Sequence, residues 1–251
     1  MRTLLILGSK PSPALPPRSS FDALACANAS GRSAASLGLP EPVFTVMTSV
    51  LTSGHKPAND LALKALAGLR TGKLYLYPRP IARGFLLKRV VREIRNVKLR
   101  PWYIRRTLRR VGYRFDELIS PPRQFYHDLV LALCGHDPAI RAQIEQKQPS
   151  TGMVTLALGL ADRGFDRVVL SGFSFEITHA YAHNPLIDQL GTTRSKHAET
   201  DILILRCLAA RHVKLYTSEP AVHERARVPL LPVTIAADPA RIRPAAGRAI
   251  A

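Results

Sequence analysis

An α/β fold built on a mostly parallel sheet is what this 251-residue sequence predicts. Short apolar runs that end near glycine recur along it, segments with apolar residues at helical spacing alternate with them, and proline and glycine punctuate the joins. Strands alternating with helices imply parallel strands joined by crossover helices. The first run, Thr3 to Gly8, reads as a buried strand. Ser9 to Pro17 is a loop, because four prolines within seven residues exclude a helix. Phe21 to Ala27 and Pro42 to Met47 follow as strands. Ala58 to Leu69 is helical, with Asn59 and Asp60 in its first turn, where the helix dipole favours acids. Lys73 to Tyr77 is a further strand. Beyond Gln148, Met153 to Arg163 is a helix with apolar residues on most faces, hence buried. Asp166 to Ser171 is a strand ending at Gly172, Ala198 to Ala210 a helix, and Val213 to Thr217 the last strand. The tail over 229–251 is irregular, and with no repeat or linker the chain reads as a single domain.

The composition, 46% hydrophobic and 22% charged, excludes a disordered chain. Its balance is unusual: 36 Lys+Arg against 18 Asp+Glu gives a net charge of +18, which favours anionic partners without choosing among them. Three cysteines, Cys26, Cys134 and Cys207, lie far apart and form no C-x-x-C pair, so a cytoplasmic setting is expected rather than a disulfide framework or zinc site. The apolar run after Met1 and Arg2 is too short for a signal peptide, and no stretch reaches the roughly 20 apolar residues of a membrane span.

Residues 83–114 break the α/β pattern. They hold twelve Lys/Arg and one acid, Glu93, with apolar residues at three- and four-residue steps. This reads as one or two basic amphipathic helices broken near Pro101, within a basic helical insertion over about 83–123. Such a segment is either a solvated helix face over the core or a surface for an anionic membrane.

Three segments carry chemistry. Gly8, Ser9, Lys10, Pro11 and Ser12 follow the first strand, where a glycine lets the backbone approach a ligand in the crevice of an open sheet. Pro149, Ser150, Thr151 and Gly152 open a helix, whose N–H groups and hydroxyls suit a phosphate or serve as a simple cap. The third segment, Ser171 to Asp201, places His179, Tyr181 and His183 after the strand-end glycine. It ends with His197 at a helix start and Asp201 one turn later on the same face. The helix dipole there disfavours imidazolium and keeps His197 able to accept a proton.

The run from Ser150 to Phe175, a Tyr-containing loop, then His197 to Ile202 and Lys214 to Tyr216, resembles the second half of the bacterial sialyltransferases of glycosyltransferase family 42. Residues 149–152 are also similar to the small sialylmotif of family 29. The resemblance covers about residues 3–48 and 148–218. It implies a Rossmann-like sheet flanked by helices and an inverting glycosyltransferase that needs no metal and no cofactor beyond its CMP-sugar donor. It further implies that Gly8, Ser9, Ser12, Asn28, Ser150, Thr151, Gly152, Gly172, Phe173, Ser174 and Phe175 bind the donor. Tyr181 would hydrogen-bond the departing phosphate, and His197 would be the catalytic base. Lys10 stands where the first loop would have a second glycine, Glu176 where a phosphate-binding tyrosine would be, and Gln148 where an arginine would be. His197 lies about one residue from the family's histidine, which keeps His179 and His183 as rivals.

The expected donor carries sialic acid or a related acidic sugar such as Kdo, and the expected acceptor is a glycan or lipid-linked glycan of the cell surface, as in lipopolysaccharide or capsule. No Asp-x-Asp pair occurs in the chain, which argues against a metal-clamped nucleotide sugar. The setting is the cytoplasm, peripheral on the inner face of the membrane. Nucleic acid is not expected as a partner, because Trp102, Tyr103 and Tyr113 form only a sparse stacking platform. The alternative is a non-catalytic basic protein that binds membrane or lipopolysaccharide through a degenerate transferase fold.

Overall fold

The computed structural model of the protein describes residues 1–52, 57–78, 96–177, 194–212 and 214–231. Seven strands form one sheet: β1 (Thr3–Leu7), β2 (Ala23–Ala27), β3 (Phe44–Thr48), β4 (Arg70–Tyr77), β5 (Arg114–Ile119), β6 (Arg167–Ser171) and β7 (Leu215–Thr217). Their order is β5-β4-β3-β2-β1-β6-β7, and every pairing is parallel. The described helices are α1 (Gly31–Ser36), α2 (Pro57–Ala65), α3 (Pro101–Arg110), α4 (Arg123–Leu133), α5 (Pro138–Gln146), α6 (Thr151–Ala161), α7 (Ala198–Arg211) and α8 (Pro220–Ala226).

Both faces of the sheet are covered: β1 and β2 are buried at every position and, Thr3 apart, apolar throughout. Leu4 and Ile6 of β1 point into a cluster with Ala25, Val46, Val168 and the α6 residues Met153, Val154 and Leu156. Their neighbours Leu5 and Leu7 point the other way, into a cluster with Leu24, Cys26 and Ala34. Helix α6 packs on β1, β2, β3 and β6 and is covered from outside by α4. It is therefore apolar nearly all round, as its sequence predicts. Gly159 lets it settle on the strands, since a Cβ there would stand 2.8 Å from Leu4 Cδ2.

One feature departs from the sequence reading. Residues 114–119, within the stretch assigned to the basic insertion, form β5 and extend the sheet beyond β4. The pattern RFDELI hides a strand because β5 is an edge, where exposed charges are tolerated and discourage further pairing. Pro101 marks the expected break in the basic segment and starts a helix. It occupies the first turn of α3, where the missing N–H costs nothing. Ile104 and Leu108 anchor α3 on a cluster with Met47, Leu66, Leu74 and Leu76. The remainder of the basic reading, over 83–95, and the tail beyond 231 lie outside the described residues.

Candidate functional site

The direction of strand addition reverses between β1 and β6, and in open parallel sheets the crevice beyond the carboxyl ends at such a reversal is where ligands bind. Gly8 follows β1, and Gly172 follows β6. Gly8 N–H donates to Ser171 O at 2.8 Å and Lys10 N–H to Gly172 O at 3.0 Å. The two glycines are so close that a Cβ on Gly8 would overlap the Gly172 carbonyl. Gly172 has φ +75°, a conformation that glycine adopts without strain. The Phe173 ring fills the space between this contact and the start of α6: a Cβ on Gly8 would lie 3.0 Å from Phe173 Cδ2, and one on Gly152 2.6 Å from Phe173 Cε1. Four of the predicted donor residues, Gly8, Gly152, Gly172 and Phe173, are thereby brought together.

The loop after β1 is held by a residue the sequence reading missed. Glu219, fully buried at the N-cap of α8, accepts from Gly172 N–H at 2.7 Å, Ala14 N–H at 2.8 Å and Lys10 Nζ at 2.6 Å. Ser171 Oγ donates to Ala14 O at 2.7 Å, and Ser218 Oγ donates to the same carbonyl. The available signal was Glu219 before Pro220, a helix start directly after the last strand. Ser9 is half-buried in this loop and Ser12 is exposed on it.

Asn28 ends β2 in the left-handed region at φ 53°, which asparagine tolerates better than most residues. Its N–H donates to Val46 O at 2.7 Å and its Oδ1 accepts from Thr48 N–H at 3.0 Å, joining the ends of β2 and β3.

Residues 148–150 lead into α6 as an extended strap that three side chains hold. Ser150, the N-cap, accepts from Met153 N–H through its Oγ at 3.3 Å, while its own N–H donates to Asp201 Oδ1 at 3.0 Å. Tyr77 Oη lies 3.5 Å from Pro149 O and 3.2 Å from His127 Nε2. Burial and Arg123 push His127 down to about 4, so its ring is neutral. His197 Nδ1 lies 2.9 Å from Gln148 O. A carbonyl only accepts, so Nδ1 carries the proton in this contact and Nε2 keeps its lone pair. The first turn of α6 presents the N–H groups of Thr151 and Gly152 beside this strap.

His197 occupies the N-cap position of α7, at the helix start as predicted, but without a side-chain cap. Burial holds its pKa below the ordinary histidine value; the Gln148 contact opposes this, and Lys196 and Lys147 reinforce it. Asp201 does not pair with the imidazole. Its carboxylate is turned across the fold to the Ser150 amide. His197 and Asp201 therefore cooperate by gripping the same strap, one at Gln148 and the other at Ser150.

Beyond Gly172 the chain turns sharply at Phe175, a bulky residue at φ 59°. The Arg225 guanidinium stands 5.1 Å from the centre of its ring. Phe175 O accepts from Ser195 N–H at 2.9 Å, and Glu176 forms an antiparallel bridge with Arg194. The segment carrying Ser174 and Phe175 is thus tied to the segment that delivers His197. Tyr181, His179 and His183 lie outside the described residues. Among the described residues, no group of three or more His, Cys, Asp or Glu side chains could hold a metal ion.

Asp201 is buried, and its burial raises the carboxyl pKa from 3.8 to about 7, the Ser150 hydrogen bonds opposing the rise. The folded state then binds the proton more tightly than the unfolded chain, so this group's contribution is complete below 3.8 and is lost as pH rises towards 7. Asp201→Asn carries no such titration. In urea unfolding at a series of pH values, the stability of this variant relative to wild type should climb between those limits. A difference that stays constant with pH would mean that Asp201 ionises normally.

No protein family's sequence profile matches the chain, and no curated protein matches it. Solved structures do. The sialyltransferase CstII from Campylobacter jejuni in complex with a substrate analogue, CMP-3FNeuAc, is 14% identical over 92% of this chain and 87% of that one, with a TM-score of 0.51. CstII with cytidine-5'-monophosphate gives 15% identity over 93% and 86% at 0.51. The monofunctional α-2,3-sialyltransferase Cst-I from Campylobacter jejuni gives 16% over 92% and 80% at 0.52. Identity this low speaks to architecture alone: the chain has the fold of the bacterial sialyltransferases.

Proposed function

We propose that the protein is an inverting, metal-independent glycosyltransferase that moves sialic acid or a related acidic sugar from a CMP-sugar to a cell-surface glycan precursor. The observation that carries this reading is the His197–Gln148 contact. It orients the imidazole with Nδ1 on the carbonyl and Nε2 as proton acceptor, on the strap that opens the α6 N-terminus, while burial favours the neutral ring. The fold likeness to enzymes solved with CMP or a CMP-sugar analogue supports the same reading.

In this scheme the acceptor hydroxyl gives its proton to His197 Nε2 as its oxygen attacks the anomeric carbon. The bond from that carbon to the phosphate oxygen breaks on the opposite side, its electron pair leaves with CMP, and the configuration inverts. The departing phosphate lies against the Thr151 and Gly152 N–H groups, where the helix dipole and backbone donors stabilise developing charge. Gly8, Ser9, Ser12, Asn28, Ser174 and Phe175 line the donor crevice, and Tyr181 adds a hydroxyl. The chain lacks the Asp-x-Asp pair that would hold a metal-bound nucleotide.

The same reading puts the enzyme on the inner face of a membrane that bears its lipid-linked acceptor, in lipopolysaccharide or capsule synthesis. Helix α3 supports this. Opposite the buried Ile104 and Leu108 it exposes Arg105, Arg106, Arg109, Arg110 and the 58%-exposed Trp102, spaced as one stripe. No acid occurs between Glu93 and Asp116. An arginine-rich face with a tryptophan suits an anionic interface, and each arginine near it contributes about 1 kcal/mol. No described helix is long and apolar enough to cross a membrane.

Two measurements test these claims. His197→Ala should lower transfer by at least ~100-fold, as loss of a general base does, and leave CMP affinity nearly intact. Near-normal turnover in this variant, with His179→Ala or His183→Ala inactive, would move the base to the other histidine; full rate in all three would end the transferase mechanism. In vesicle sedimentation, binding should grow with anionic lipid content and weaken with salt. Indifference to every vesicle composition, or retention of an oligonucleotide instead, would rule out the membrane role of α3.

A further inference from the structure

Lys10 places a cation on the loop after β1, at the carboxyl end of the sheet. It lies two residues past Gly8, and its own N–H donates to Gly172 O, which fixes its backbone across the β1–β6 reversal. Its ammonium stands 2.6 Å from Glu219 Oε2; the carboxylate is completely enclosed, whereas the lysine side chain remains 33% exposed. Two described cations of this region have partners of their own: Arg225 stacks on Phe175, and Arg194 faces Glu199 at 3.2 Å.

Two features separate this ion pair from a simple latch. The loop is already closed by Ala14, whose N–H reaches Glu219 and whose carbonyl accepts from Ser171 and Ser218. The lysine is not needed for that closure. Glu219 also divides its carboxylate among three donors, one of them Lys10. An ammonium has three N–H bonds, and one contact with Glu219 leaves two for the exposed side. The exposed part of the side chain thus carries charge and donors beside the Gly8–Gly172 contact, which the Phe173 ring links to the α6 N-terminus.

Building on the nucleotide-sugar reading above, we infer that Lys10 binds the donor's phosphate together with the α6 N-terminus, with Glu219 holding the lysine in place. As the bond from the anomeric carbon to the phosphate oxygen breaks, the electron pair stays on that oxygen. Lys10 hydrogen-bonds the phosphate and keeps its proton, while the proton from the acceptor goes to His197. A fixed ammonium aimed at a group that gains charge stabilises the departing nucleotide without reorganising. Glu219 keeps the lysine from folding away into solvent.

The test compares CMP with cytidine, which differ only by the phosphate, in calorimetric titrations of wild type, Lys10→Met and Lys10→Arg. Wild type should bind CMP more tightly than cytidine. Lys10→Met should lose about ten- to a hundredfold in CMP affinity and less than about twofold in cytidine affinity, as expected when one charge-assisted hydrogen bond is removed. Lys10→Arg should recover most of the CMP preference. Equal losses for both ligands in Lys10→Met would make the residue a structural latch, and unchanged CMP affinity would place the phosphate elsewhere; either outcome overturns the inference. Wild type that binds neither ligand would instead overturn the nucleotide-sugar reading on which it rests.

Discussion

The contact between Gly8 and Gly172 is the constraint on which the site depends. Two strands that are neighbours in the sheet but far apart in the chain end at glycine, and their backbones then meet with no room for a side chain. This brings the loop after β1 onto the loop after β6 and leaves a space that the Phe173 ring fills. Through that ring the position of the α6 N-terminus is also set. Glu219 completes the assembly, since one buried carboxylate collects donors from Lys10, Ala14 and Gly172.

The step from scaffold to chemistry is taken by residues 148–150. Their backbone groups are shared among His197, Tyr77 and Asp201, which come from different parts of the chain. The arrangement orients the imidazole and the helix N-terminus together, so in the proposed reaction the proton acceptor and the phosphate site belong to one feature. It also explains a buried carboxyl group with a raised pKa beside the site. Asp201 serves the backbone of the strap rather than the histidine.

Much of this was legible in the sequence, and the exceptions have physical causes. β1, β6 and the glycines after them announce themselves because strands buried on both faces must be continuously apolar. α6 could be recognised because a helix buried all round has no polar face, and its cap because Ser150 precedes an apolar run. β5 could not, since an edge strand has no such requirement. Helices α4, α5 and α8 went unread, although Asp137 before Pro138 and Glu219 before Pro220 are helix starts in sequence. Asp201 accepts from a backbone amide 51 residues away, and Glu219 from amides 47 and 205 residues away, which no periodicity reveals. Helical spacing placed His197 and Asp201 side by side correctly, yet the carboxylate's direction depends on Ser150, which only the fold supplies.

The most direct measurement of the central claim is a titration of isotope-labelled protein with CMP in the presence of EDTA, followed residue by residue through amide NMR shifts. The account predicts saturable shifts at Gly8, Thr151, Gly152 and Gly172, which together trace the crevice at the strand reversal. No shifts at all, shifts only after a divalent metal replaces the chelator, or shifts confined to the arginines of α3 would contradict it.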